Sequence, residues 1–150
     1  MSIGYKVANL EQECASYAID MAQDVRGALR DAADVLITKA LGVLQEQGLY
    51  ALALFCAAAS DKEQEGAGII IKYLSSFFKE HGFLAEDAPT SSPRCFATEL
   101  AKEDGLLSKL DDLTLAIFLA EKTLVYARYY AKALKKKDDE EKQESSDVKQ

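Results

Sequence analysis

The sequence is short of the residues that interrupt helices. Its 150 residues include only two prolines and eight glycines. These are the poorest helix formers, whereas Ala, Leu, Lys and Glu, which are abundant here, are among the best. Hydrophobic residues make up 49% of the chain, enough for one buried core. The composition therefore predicts an all-α fold, a compact bundle of about five to six helices with a long C-terminal helix.

Residues that carry out nucleophilic or metal chemistry are also scarce. The one histidine, His81, directly precedes Gly82 at a predicted helix end, where an imidazolium interacts favourably with the helix dipole. No phosphate-binding glycine loop and no metal-binding motif accompanies it. We therefore expect no catalytic residue, no metal and no cofactor, and predict that the chain is not an enzyme. A carboxylate-site hydrolase is the remaining enzymatic interpretation, and it requires acids that converge in a pocket.

Cysteine is limited to three residues, Cys14, Cys56 and Cys95, which are widely spaced and include no CxxC pair. Neither a disulfide framework nor a zinc site fits this spacing. Each cysteine has apolar or small neighbours, so we expect three small buried hydrophobic side chains. Free thiols suit a reducing compartment.

Long apolar runs are missing as well. The longest, residues 49–59, is far shorter than the roughly 20 residues that cross a bilayer. The first residues lack the basic and apolar segments of a signal peptide. We predict a cytoplasmic protein that does not contact a membrane.

The net charge of −7 is unevenly distributed. Six acidic residues and two lysines follow Lys137, so the segment 138–150 carries −4 of this charge. Apolar residues almost vanish there, which predicts a single helical domain over 1–137 and a disordered acidic tail over 138–150. A mildly acidic body argues against strong binding of nucleic acid by the isolated chain.

Hydrophobic spacing and helix-end residues place the individual helices. Asp31 is predicted to cap the second helix and Gly48 to end it. Both prolines fall in a predicted loop over residues 86–93. The predicted helices cover residues 6–29, 32–47, 49–59, 67–81 and 96–102, and a last helix begins at Leu110.

The last helix has the most regular apolar pattern. Its apolar residues alternate between spacings of three and four, as in a coiled coil. They are Leu110, Leu113, Ile117, Ala120, Leu124, Ala127, Ala131 and Leu134. Two interpretations stay open at this point: the seam lines the core of its own bundle, or it is shared with another chain.

Basic residues lie beside this seam. Arg128, Lys132 and Lys135 have the spacing i, i+4, i+7 and therefore form one stripe. Three tyrosines flank this stripe: Tyr126, Tyr129 and Tyr130. Their rings could stack on bases or pack at an interface. Arg26 and Arg30 share a helical face, and Lys39 is exposed on the next helix. These cations either contact RNA phosphates or simply offset helix dipoles and solvate the surface.

Three segments resemble a known family. They are KALGVLQEQGLYALALF at 39–55, YLSSFF at 73–78 and LVYARYYAKAL at 124–134. Each is similar to a helical motif in the small subunit of the Cmr, or type III-B CRISPR, effector complex. The chain departs from those motifs at Phe78, where Trp is usual, and at Tyr126 and Tyr129, where Trp and Arg are common.

The resemblance implies a non-catalytic subunit of an antiviral ribonucleoprotein. Its partners would be other Cmr effector subunits, copies of itself stacked as a filament, and the guide and target RNA. Lys39 and Arg128 match positions in the family motifs, so the resemblance implies that both contact RNA. Helix faces add Arg26, Arg30, Lys132 and Lys135. The alternative is a helical adaptor or chaperone that binds protein without RNA contact.

Overall fold

The computed structural model describes the backbone of residues 3–148 and the side chains of residues 9–146. Within that range every regular element is helical, and no strand is present. The predicted all-α bundle with a long last helix is confirmed. The elements are α1 (Ile3–Leu29), α2 (Ala33–Gln47), α3 (Leu49–Ala57), α4 (Gln64–Glu80), α5 (Pro93–Ala101) and α6 (Leu110–Val148), with short 3-10 turns at Arg30–Ala32 and Leu106–Ser108.

Helix α1 packs against α6, α4 and α2. It runs parallel to α6, since Cys14 contacts the Leu119 carbonyl at one end while Arg26 pairs with Asp138 at the other. It runs antiparallel to α4, because Tyr17 donates a hydrogen bond to Glu80 at the end of α4, whereas Tyr73 in the middle of α4 donates to Asp24, further along α1. Helices α3 and α5 pack together beside α2 and α4.

The core is a continuous layer of apolar side chains between these helices. Its aromatic part is built on α4, where Phe77 stacks on Tyr17 with 4.6 Å between ring centroids. Phe78 faces Phe96 of α5 at 6.2 Å. Aromatic pairs at these distances add to the stabilisation that area burial provides. None of the helices between residues 3 and 148 combines the length and apolar character needed to cross a membrane.

The two ends of α2 show how reliable the helix-end residues are. Gly48 follows its last turn with φ of +95°, and its N–H donates to the Leu44 carbonyl at 3.0 Å. The predicted Gly48 terminus is therefore confirmed, because glycine alone adopts this backbone region without strain. The predicted Asp31 cap is wrong: the cap residue is Ala32, with no side-chain cap, and the Asp31 carboxylate lies 3.6 Å from Arg26.

Helices α4 and α5 each begin three residues before their predicted start. Gly66 lies inside the first turn of α4, where a Cβ atom would approach Leu29 and Leu36 to 2.7 and 2.8 Å. A glycine there lets α4 approach the end of α1 closely. In α5, Pro93 occupies the first turn and Ser92 accepts a hydrogen bond from the Cys95 N–H, the usual places for proline and serine at a helix start.

The cysteines differ in burial. Cys14 and Cys56 are buried, as predicted, and burial raises the pKa of the Cys56 thiol to about 12. Cys95 is only half-buried, so the expectation of three buried thiols is wrong for this residue. Its place at the start of α5, facing the surface beside the capping serine, explains the difference. Hydrogen bonds to Ser92 and Ser91 lower the pKa of Cys95.

The predicted seam of α6 lines the core of its own bundle. Ala120, Leu124, Ala127 and Ala131 are fully buried, whereas Leu110 at the helix start is 75% exposed. Helix α6 continues through the acidic segment to Val148, where the sequence predicts a disordered tail. Lysine, glutamate and glutamine are good helix formers, and the pairing of Asp138 with Arg26 holds the first part of this extension against α1.

Candidate nucleic-acid interface

Three of the six predicted RNA-contact residues lie together on α6. Arg128, Lys132 and Lys135, here called the basic stripe, follow one another within two turns of the helix. Lys132 is exposed, and the other two are half-buried. None of the three forms a salt bridge with any residue of the described part of the chain.

Arg128 is the best-anchored member of the basic stripe. Its guanidinium carbon lies 5.8 Å from the centroid of the Tyr129 ring, within cation–π range. Its Nε atom is buried and has no hydrogen-bond partner within the described residues. The side chain therefore packs beside the Tyr129 ring, and no carboxylate among the described residues lies within 4 Å of its guanidinium nitrogens.

The stripe runs along the flank of α6 that faces α2. Gln45 of α2 donates a hydrogen bond to Glu121 of α6 at 3.1 Å, and Glu121 and Arg128 are seven residues apart and share a side of the helix. Asp34, eleven residues before Gln45, lies on the same flank of α2. One of its carboxylate oxygens is also buried without a partner inside the described range.

The other three predicted contacts are not part of this stripe. Arg26 is 15% exposed and forms ion pairs with Asp138 and Asp31. The Arg26 guanidinium lowers the pKa of the Asp138 carboxyl. Arg30 is exposed in the turn after α1, where its φ of +56° helps to end the helix.

Lys39 lies away from the basic stripe altogether. Its ammonium lies 3.2 Å from the Glu63 carboxylate just before α4. Gln45, six residues further along α2, faces α6 instead, so the two side chains lie on different flanks of α2. The structure therefore does not join Lys39 to the α6 cations, and its contact with RNA stays a prediction.

The three flanking tyrosines differ in their surroundings. The Tyr126 hydroxyl donates to Glu11 of α1 at 3.0 Å, and Tyr130 accepts from Gln23 of α1 at 3.5 Å. Both rings pack partly against the core. Tyr129 alone points outward, with 64% of its surface exposed, and it is the one of the three available to a base or a partner protein.

One cluster of titratable groups had no sequence signal. Ligand atoms of Glu13, Glu80 and His81 lie within 4.8 Å of one another. His81 Nε2 is 2.6 Å from Glu13, and Glu80 accepts a hydrogen bond from Tyr17. Burial and that hydrogen bond raise the pKa of Tyr17. These contacts satisfy all three groups through two hydrogen bonds that join α1 to the end of α4, so the cluster has a structural explanation.

No protein-family description, no curated protein and no solved structure matches this chain. What the described residues define is a class: an all-helical protein whose longest helix carries a basic stripe that pairs with no carboxylate among them. The resemblance to the Cmr small subunit therefore rests on the three quoted segments alone.

Proposed function

We propose that this chain is a non-catalytic helical subunit of a cytoplasmic ribonucleoprotein. In this proposal the basic stripe contacts RNA phosphates, and the assembly is the type III-B CRISPR effector complex that the three segments suggest. The observation that supports RNA contact most directly is that Arg128, Lys132 and Lys135 lie on one side of α6 and that none of them pairs with a carboxylate of the described residues.

Four of the other basic side chains in the described residues provide a contrast. Arg26, Lys39, Lys102 and Lys122 each have a carboxylate within 4 Å. Their charge is partly neutralised, and phosphate binding would compete with the existing pair. The basic stripe has no such competitor, so a phosphate gains the full Coulombic attraction there.

The charge of the whole chain sets how this contact would work. At −7 overall, the isolated chain repels RNA at long range. Contacts by one stripe would be weak alone and would become useful when several subunits hold the same RNA. Because phosphate contacts carry no sequence information, the stripe would position RNA rather than read it.

The first experiment tests the assembly. The natively purified, tagged protein is analysed by mass spectrometry for associated subunits and by sequencing for guide RNA. The proposal predicts CRISPR effector subunits and guide RNA that survive stringent washing. Recovery of partner proteins without any RNA would contradict it and favour the adaptor function.

The second experiment tests the stripe within that assembly. Arg128→Gln combined with Lys135→Glu removes two contacts, and the matched control combines Lys62→Gln with Lys109→Glu. Both control lysines are exposed, unpaired within the described residues and distant in sequence from the stripe. Assembled particles with the stripe variant should retain target RNA at least about tenfold more weakly, and control particles should retain it normally.

A protein-only adaptor is the second candidate, and one observation favours it. Helix α6 exposes large apolar side chains, including Phe118 at 57% and Tyr129 at 64%. Exposed apolar surface of this kind marks protein interaction sites. The two candidates differ in whether RNA copurifies, which the first experiment decides.

A further inference from the structure

The outer side of α6 carries a second regular pattern, opposite the buried seam. It consists of eight residues that alternate between spacings of four and three, here called the outer strip: Asp111, Leu115, Phe118, Lys122, Val125, Tyr129, Lys132 and Lys136. All are exposed except Lys122 and Val125, which are half-buried. Its four central apolar residues are Leu115, Phe118, Val125 and Tyr129, and apolar residues at this spacing are typical of a coiled-coil surface.

From this strip we infer that two copies of the chain pair through α6, antiparallel and face to face. The pair needs neither RNA nor another subunit, so the inference goes beyond the proposed function. A two-fold pair also closes on itself, unlike the open stack of copies that the family resemblance implies.

The spacing itself allows an antiparallel partner of the same sequence. The eight positions follow the order four, three, four, three, four, three, four, which reads the same in both directions. When one helix is reversed against the other, every layer therefore finds a counterpart. Phe118 meets Tyr129 of the second copy, Lys122 meets Val125, and Leu115 meets the aliphatic stem of Lys132.

The charges favour the antiparallel orientation over the parallel one. The N-terminal end of the strip is acidic at Asp111, and the C-terminal end is basic at Lys132 and Lys136. In the antiparallel pair Asp111 faces Lys136 of the second copy at both ends. A parallel pair would instead place each of these charges against its own copy, and like charges in contact are unfavourable.

Lys122 in the middle of the strip is compatible with this pairing. Its ammonium lies 3.6 Å from Glu11 of α1, which partly neutralises it. It also lies 5.7 Å from the Phe118 ring centroid and 5.9 Å from that of Tyr126. The side chain thus extends along the aromatic surface, and its stem adds apolar area to the strip.

The primary experiment measures mass by sedimentation equilibrium. Wild-type chain should sediment at twice its 16.4 kDa mass. Phe118→Glu should raise the dissociation constant at least about 30-fold, because the change removes a central aromatic residue twice. The matched control is Leu54→Glu on α3, with 46% exposure and no place in the strip, and it should leave the dimer intact.

A charge exchange tests orientation without touching the apolar residues. Asp111→Lys and Lys136→Glu should each weaken the dimer about threefold to tenfold, whereas the double variant restores opposite charges and should recover wild-type affinity. A double variant weaker than either single one contradicts the antiparallel pair. This series keeps the inference falsifiable even if Phe118→Glu fails to fold.

Disulfide cross-linking tests the register of the two α6 helices in the pair. In a Cys95→Ser background, chains with Phe118→Cys should form disulfides with chains carrying Tyr129→Cys and not with one another. Three results would overturn the inference: a wild-type monomer at about 100 μM, equal weakening by Phe118→Glu and Leu54→Glu, or cross-links between identical positions.

Discussion

The inner seam and the outer strip of α6 share a spacing but differ in what fills it. Alanine and leucine fill the buried positions, among them Leu124 and Ala127, while Leu115, Phe118 and Tyr129 stand on the exposed side. Alanine lets neighbouring helices approach closely, whereas large side chains need a partner surface to cover them. Apolar spacing alone therefore locates both faces of α6, and the fold shows which of them its own bundle covers.

The largest expected effect comes from moving charge between the two sides. Ala131 is buried and Ala133, two residues on, is exposed. Ala131→Glu should lower the free energy of unfolding by at least about 3 kcal/mol, because it buries an unpaired carboxylate. Ala133→Glu should change it by no more than about 0.5 kcal/mol. Urea unfolding followed by circular dichroism measures both, and similar losses would mean that the two faces are wrongly assigned.

Shortening neighbouring apolar side chains should give the next largest difference. Leu124 is fully buried, so Leu124→Ala should cost about 2–5 kcal/mol through lost transfer energy and a residual cavity. Val125→Ala, on the outer strip, should cost less than about 1 kcal/mol at concentrations where the chain is monomeric. Equal costs in urea titrations would remove the distinction between seam and strip.

The rate of thiol labelling should distinguish a thiol buried at the inner face of α6 from a thiol at the surface. Burial is the main cause that raises the pKa of Cys14, which packs against the inner face of α6, and it also raises that of Cys56. The pKa of Cys95 is lowered, so its reactive thiolate forms at lower pH. Ellman's reagent should label one thiol per native chain rapidly, and Cys95→Ser should abolish this phase. Rapid labelling of Cys14 as well would contradict the buried inner face of α6.

The smallest effect concerns the end of the α1–α6 contact. Because Arg26 lowers the pKa of Asp138, the pair stabilises the fold above the ordinary carboxyl pKa, and this stabilisation is lost as pH falls through the lowered value. Hydrogen exchange around residues 134–142 should therefore accelerate in Asp138→Asn at pH 7. At a pH below the lowered pKa, wild type and variant should exchange alike, and a difference that persists there would argue against the ion pair.

Several features of the fold were readable from the sequence because they depend on local chemistry. Gly48 ends α2 through its own backbone freedom, and the spacing from Ala120 to Ala131 identifies the buried seam. Local signals failed where tertiary contacts took over. Asp31 turns to Arg26 instead of capping α2, and α4 begins three residues early, with Gly66 of its first turn beside Leu29.

The candidate site was predictable only in part for the same reason. The basic stripe follows from helical spacing within one element. The ion pair of Arg26 joins residues 112 positions apart, and the pair of Lys39 with Glu63 depends on how α4 meets α2. The outer strip could not be predicted from the sequence because charged residues occupy both of its ends. It is recognised as a separate surface only when the opposite face of α6 is known to be buried.

The salt dependence of RNA retention tests the central claim most directly. For assembled particles, the logarithm of the binding constant is plotted against the logarithm of salt concentration, with wild type beside the variant that combines Arg128→Gln and Lys135→Glu. If the basic stripe contacts phosphates, the slope should become shallower by about 1.4 to 1.8 for two lost contacts. Parallel lines with equal affinity would contradict RNA contact by this stripe.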